Sequence, residues 1–251
     1  MAGVQAPVAL VTGAAGGLGA TISQGLARAG FCVALGYNRS AAAAEKLAAE
    51  LPGQGHFAVA APVTDSAALK AMAAQIEART GRCDVLVNCA GTTRFVPHAD
   101  LDGLDDALID EILTINVRGA FAALRALKPL LERSTLPGGG VVINISSIAA
   151  RTAMGSNVMY CASKAAIDNM TMSLARALAP RIRVLSVSPG LVDTDFVKSL
   201  DQKWRDEQAA RTPLARLAHP DEVGAAVVVA ITQLTFTTGS IIPVDGGRPL
   251  S

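Results

Sequence analysis

The chain has 251 residues, 51% of them hydrophobic and 17% charged, which supplies enough apolar material for one domain with a large core. A formal net charge of +1 offers no long-range field to nucleic acid or an anionic membrane, so small soluble partners are expected. Cys32, Cys83, Cys89 and Cys161 are scattered, with neither Cys-x-x-Cys spacing nor a histidine cluster beside them, and read as reduced packing residues rather than metal ligands.

Val8–Thr12 is a short apolar run that stops at a glycine cluster, the pattern of a buried strand. No basic leader precedes it, so a soluble cytoplasmic protein is expected. A helix over residues 19–29 follows, then an apolar run at 31–35, a polar break at Asn38, Arg39 and Ser40, and an alanine-rich helix through Leu51. These make a first strand–helix–strand unit. Residues 56–60 read as a strand, Ser66–Thr80 as a helix with Asp65 as its cap, and Val85–Asn88 as a strand. The pattern over 104–133 predicts one long helix, ended by the breakers Pro137, Gly138, Gly139 and Gly140.

Residues 141–145 form the most apolar strand, and a helix over Val158–Leu178 stops at Pro180. A strand at 182–187, a helix at 221–232 behind Pro220, and a strand at 240–244 close the series. The longest apolar candidate, near 223–231, falls short of the roughly 18 residues that span a bilayer. Seven strands alternating with helices, with no linker or repeat between them, predict a single-domain, doubly wound α/β fold. Its mostly parallel seven-stranded sheet carries helices on both faces.

Thr12-Gly-Ala-Ala-Gly-Gly-Leu-Gly19 lies between the first strand and the first helix, where a dinucleotide-binding loop belongs. Gly13 permits a tight turn, while Gly17 and Gly19 let backbone and helix come close to a pyrophosphate and to the sheet. The exposed amides of the helix N-terminus attract the phosphates. At the end of the second strand, Leu35-Gly-Tyr-Asn-Arg-Ser40 has no carboxylate for a ribose 2′-hydroxyl, whereas Arg39 can grip a 2′-phosphate. NADP is therefore favoured and NAD remains possible, because Gly16 adds no second positive charge.

Tyr160 and Lys164 stand four apart on one helical face, thirteen or more residues after Ser147. A nearby ammonium favours the phenolate and is expected to pull the tyrosine down from its usual value near pH ~10, making it a proton donor for neutral pH.

These motifs together resemble the short-chain dehydrogenase/reductase family, in its compact form of about this length. Thr12-Gly-x-x-x-Gly-x-Gly19, Asn88-Cys-Ala-Gly91, Asn116, Ser147, Tyr160-x-x-x-Lys164 and Pro189-Gly-Leu-Val-Asp-Thr194 occur in the family's order. The resemblance implies reversible hydride transfer between a nicotinamide and a ketone or secondary alcohol. In it Tyr160 moves the proton, Lys164 tunes Tyr160 and holds the nicotinamide ribose, Ser147 (rather than its neighbour Ser146) binds the substrate oxygen, and Asn116 holds a relay water.

The same resemblance implies cofactor contacts from Gly13, Ala15, Gly17, Leu18, Gly19, Asn38, Arg39, Val63, Asn88, Ala90, Gly91, Tyr160, Lys164, Pro189, Gly190, Val192 and Thr194. It also implies a last strand that helps build a homo-oligomer, a dimer or tetramer. Somewhat more narrowly, the stretch Gly91-Thr-Thr-Arg94 looks like that of 3-oxoacyl thioester reductases. Departures are Pro62 where an adenine-binding aspartate is usual, Cys89 for an asparagine, and Leu185 for another. A second reading is a sensor that binds NAD(P) without catalysis; the full proton-transfer set argues against it. The segment 191–213, with Phe196, Leu200 and Trp204 spaced by four, presents an apolar face that either forms a lid over the pocket or packs on a neighbouring helix or subunit.

Overall fold

A computed structural model describes residues 6–250 and places all seven predicted strands in one sheet, with the order β3-β2-β1-β4-β5-β6-β7. The strands are β1 (Val8–Thr12), β2 (Cys32–Tyr37), β3 (Phe57–Ala60), β4 (Val85–Asn88), β5 (Gly140–Ile145), β6 (Ile182–Pro189) and β7 (Ile241–Val244). Every neighbouring pair is parallel, so the sheet is wholly rather than mostly parallel. Parallel strands need crossovers, and here helices supply them on both sides.

The strands read as continuous apolar runs because both faces are covered. Val8 and Leu10 point into one core with Leu69, Ile76, Leu127 and Leu131. Ala9 and Val11 point into the other with Ile22, Leu26, Val223 and Val227. The first core is roofed by α3 (Ser66–Thr80), α5 (Ala120–Leu131) and α7 (Val158–Leu178), the second by α1 (Gly17–Arg28) and α10 (Pro220–Thr232). Strand order reverses direction at β1 and β4, and the carboxyl ends there open a crevice of the kind that binds nucleotides in doubly wound sheets.

Local signals explain most boundaries. Asp65 caps α3 by accepting from Ala67 N at 2.8 Å and Ala68 N at 3.0 Å. After α2 (Ala41–Glu50) and α3, the predicted helix over 104–133 is divided. It runs as α4 (Asp106–Leu113), a π-helical segment (Thr114–Gly119), then α5. The physical reason lies in the side chains: Asn116 is buried and hydrogen-bonded inward, and Gly119 presses on Val63, where a Cβ would come within 2.8 Å. Gly140 belongs to β5 rather than to the preceding loop.

Three short helices were not foreseen: α6 (Ala149–Thr152), α8 (Asp195–Lys198) and α9 (Gln202–Ala210). Asp201 caps α9 through Trp204 N at 2.9 Å, so Leu200 and Trp204 do not share one helix and the four-residue stripe is broken. The side chain of Phe196 lies outside the described residues. Leu200 and Trp204 are partly exposed. Among the described residues, no helix is long and apolar enough to cross a membrane, and no cluster of His, Cys, Asp and Glu could hold a metal.

Candidate active site

A cleft of about 740 Å³ opens above the carboxyl ends of β1, β2, β4, β5 and β6. Its floor is the glycine loop. Gly13 has φ +66° and sits so close to the next strand's loop that a Cβ would meet Ala90 Cα at 3.0 Å. Gly19 is tighter, since a Cβ there would lie 2.2 Å from Gly13 O. Thr12 Oγ1 accepts from Cys89 N and Ala90 N, each at 3.1 Å, and so locks the loop after β4 against the end of β1. No side chain caps α1, whose first residues follow Gly16. Its leading amides are left for an anion in the cleft.

At one end of the cleft Asn38, Arg39 and Ser40 are all exposed, with Tyr37 and Thr64 beside them. Arg39 has no hydrogen-bond or ion-pair partner among the described residues, so its guanidinium is available to a phosphate. A missing Cβ wherever the backbone must approach, uncapped amides and an unpaired arginine together fit a phosphorylated dinucleotide.

At the other end lie Ser147, Tyr160 and Lys164. Asn157 starts α7 by accepting from Tyr160 N at 2.7 Å, and this cap aims the helix's first turn at the cleft. Lys164 is buried, and its Nζ donates to Ile145 O at 2.8 Å and sits 5.6 Å from the centre of the Tyr160 ring. Burial brings the Lys164 pKa down to about 8, opposed by its interactions with Cys89 and Asp168. Cys89 itself is pushed up to about 11 by burial and is a neutral thiol at physiological pH.

The expectation for Tyr160 needs correction. Burial holds its phenol above the ordinary value, the Ser147 hydroxyl pulls the other way, and Cys161 adds to the rise. Lys164 is not among the groups that counter this rise; its ammonium is tied to a main-chain carbonyl and lies 5.6 Å from the centre of the ring.

Most predicted cofactor contacts line the cleft: Gly13, Ala15, Leu18, Gly19, Asn38, Arg39, Val63, Ala90, Gly91, Pro189, Gly190, Val192 and Thr194. Three predicted site residues do not. Gly17 has φ +52° and shapes the turn from outside the wall. Asn88 is turned into the sheet, donating from Nδ2 to Asn144 Oδ1 at 2.9 Å and to Ala120 O at 3.3 Å. Asn116 stands behind the wall, with Oδ1 accepting from Thr92 N at 2.8 Å and Nδ2 donating to Thr92 O and Ser163 Oγ, each at 3.1 Å. Gly91 lies between Asn116 and Lys164, a Cβ on it falling 3.4 Å from Asn116 Oδ1 and 4.0 Å from Lys164 Nζ.

Sequence reasoning missed Tyr37, Ser40, Thr64, Cys89 and Glu111, which also line the cleft. Tyr37 and Ser40 flank the Asn38-Arg39 break, a signal in plain view. Glu111 carried none, since it reaches the cleft only through the path of α4.

A family model described as enoyl-(acyl carrier protein) reductase matches residues 13–248. A protein of Streptomyces violaceoruber assigned as ketoacyl reductase 2 of the granaticin polyketide synthase is 39% identical over 248 residues, covering 98% of this chain and 97% of that one. The D-threitol dehydrogenase of Mycolicibacterium smegmatis is 38% identical over 246 residues, 96% of this chain and 92% of its own. A crystal structure of a gluconate 5-dehydrogenase from Burkholderia cenocepacia, in complex with NADP and tartrate, superposes with a TM-score of 0.89 at 28% identity, covering 99% of this chain and 97% of that one. Likeness of this extent, over the glycine loop, the cleft and the Tyr160 helix alike, places the chain in the short-chain dehydrogenase/reductase family of oxidoreductases.

Proposed function

We propose that this oxidoreductase uses NADPH in preference to NADH to reduce a ketone, and runs the reverse oxidation of the secondary alcohol, with Ser147, Tyr160 and Lys164 as its reacting side chains. The observation that carries this reading is the single cleft that joins the glycine loop and the unpaired Arg39 at one end to those three residues at the other. When bound along that cleft, the nicotinamide dinucleotide supplies the hydride.

The chain's own residues do the rest. Ser147 donates a hydrogen bond to the substrate oxygen, and Tyr160 gives that oxygen its proton as negative charge develops there. Lys164 holds the ribose side and keeps a positive charge near the ring of Tyr160. Asn116 holds the Thr92 backbone and, across Gly91, completes a proton route from Lys164 toward solvent; the placement of Gly91 between the two side chains supports that role. Gly17 and Asn88 serve the cofactor indirectly, one by bending the loop and the other by bracing the end of β4.

The substrate is a small soluble carbonyl or alcohol compound with an apolar body, and a 3-oxoacyl thioester is the subtype we favour. Exposed Phe95, Leu101, Met154 and Trp204 on the segments around the catalytic end support an apolar substrate, and the similarity to a ketoacyl reductase supports the thioester. The segment 191–213 acts as the substrate lid, a role its short helices α8 and α9 suit. The protein works in the cytoplasm as a homo-oligomer, a dimer or tetramer, without nucleic acid or membrane. The edge position of β7 and the exposure of Phe121, Met172 and Phe236 support assembly.

The test is a paired screen of NADPH and NADH oxidation over a panel of ketones that includes a 3-oxoacyl thioester. Turnover with NADPH exceeding that with NADH is expected. Tight NADPH binding with no turnover on any ketone would instead support a sensor.

A further inference from the structure

Two turns beyond Tyr160 and one beyond Lys164, the same face of α7 carries a third ionisable side chain, Asp168. It is 8% exposed, and its Oδ1 is enclosed without a hydrogen-bond partner. Ser146, adjacent in sequence to Ser147, is 3% exposed, and its Oγ is likewise enclosed and unpartnered. Native interiors rarely leave such atoms unmatched, and a carboxylate so placed is costly unless its charge is used.

The surroundings indicate how it is used. Burial holds the Asp168 carboxyl above its ordinary value, opposed by the neighbouring hydroxyls of Ser146 and of Ser186 on β6 and by the charges of Arg151 on α6 and Lys164 on its own helix. Cys89 faces Lys164 from the loop after β4 and stays neutral at physiological pH, so Asp168 is the anion that offsets the burial of Lys164. Ser186 is further tied into a chain of buried polar groups. Its Oγ lies 2.8 Å from Thr171 Oγ1, which accepts from Asn144 Nδ2 at 2.8 Å, and Asn144 in turn accepts from Asn88. Asp168 thus stands where a network under the cofactor side of the sheet meets the proton-transfer side chains.

We propose that Asp168 is a positioning residue: its carboxylate, buried one turn beyond Lys164 on the same face of α7, supplies the negative charge that balances the buried Lys164 ammonium. The proposal rests on the enzymatic reading above, and it is tested separately from it. In cofactor-free protein labelled with 13C at lysine Cε, the Lys164 signal is assigned by its loss in Lys164→Arg and followed by NMR through pH 4–11.

In the wild-type protein we expect a main inflection near pH 8 and a second, smaller one in the acid range as Asp168 takes up a proton. In Asp168→Asn the acid inflection disappears and the main one moves down by about one unit, the size expected from losing one nearby opposite charge. Asp168→Glu restores both. In ketone reduction with NADPH, Asp168→Asn then loses about fivefold in kcat/KM at pH 8 but less than about twofold at pH 6.5.

An unmoved Lys164 midpoint in Asp168→Asn, or an acid inflection that survives it, overturns the proposal. If Asp168→Asn does not fold, a wild-type Lys164 titration without the acid inflection overturns it equally. The enzymatic reading fails on a different result, namely turnover retained in Tyr160→Phe, which leaves the lysine titration untouched.

Discussion

Among the described residues two aspartates are buried, and they are treated in opposite ways. Asp84, at the amino end of β4, is wholly enclosed and surrounded by donors: Val8 N at 2.8 Å, Arg82 Nε at 2.8 Å, Arg82 Nη2 at 2.7 Å and Ser134 Oγ at 2.7 Å. Asp168, under the catalytic end of the cleft, keeps an oxygen with no partner. The same contrast holds for the cations nearby. Arg183, at the start of β6, spends its guanidinium on the carbonyls of Ala230, Ile231 and Leu234. Lys164 has one carbonyl and lines the cleft. At the amino edge of the sheet the Asp84 carboxylate is fully matched and the terminal nitrogens of Arg183 are spent on carbonyls, only its Nε staying without a partner. At the carboxyl edge polar groups are left partly unmatched, which is how a site stores capacity for a ligand.

This comparison can be broken by exchanging the roles. Tyr160→Phe should show the largest effect, a loss of about 10³-fold in kcat/KM for ketone reduction, with NADPH affinity and unfolding midpoint little changed. A variant that keeps near-wild-type turnover across the panel removes Tyr160 from the proton step. Asp84→Ala should do the reverse, costing about 3–5 kcal/mol in denaturant unfolding because it strands the Arg82 guanidinium and a buried amide. Asp168→Asn, by contrast, should alter the unfolding free energy by under about 1 kcal/mol, since the group it removes was not fully paired. Equal destabilisation by the two substitutions would erase the distinction between the two edges.

A smaller effect is expected at the far end of the cleft. Arg39→Asp should lower the preference for NADPH over NADH by at least about tenfold, read from kcat/KM with each cofactor, because it replaces a phosphate partner by a carboxylate suited to a free ribose hydroxyl. Equal losses with both cofactors would reject the phosphate-gripping role.

The smallest is at the surface. Arg216 holds the Glu222 carboxyl down to about 2 through hydrogen bonds at 2.6 and 2.7 Å, and the His219 amide adds to the effect. A carboxyl whose folded value is depressed adds stability above its unfolded value near 4.5 and loses it as pH falls toward 2. Both side chains are about half exposed, so Glu222→Gln should cost less than about 1 kcal/mol at pH 7, and the difference should shrink as pH falls below about 4.5 and vanish only below about 2. A large cost at pH 7 would mean that surface pairs matter here as much as the Asp84 cluster does.

How much of this was legible in the chain depended on the range of the interaction. Apolar runs bounded by glycine and proline located every strand, and Asp65 declared its helix, because strand burial and capping are set within a few residues. The glycine loop and the Tyr160–Lys164 spacing pointed to the cleft, since backbone clearance and helical period are local properties too.

What the sequence determined by itself, then, was the sheet, the loop that receives phosphates and the face on which Tyr160 and Lys164 stand. What only the tertiary structure decided was how those groups are charged and which of them meet. The break in the helix at Asn116 needed Thr92 and Ser163 from distant segments, and the inward turn of Asn88 needed Asn144. The direction of the Tyr160 shift also needed the fold, because burial raises the phenol and the lysine four residues away, bound to Ile145, is not among the groups that counter it. Helical spacing brings two side chains to one face, but desolvation and hydrogen-bond partners come from elements far apart in the chain, and these set the proton chemistry.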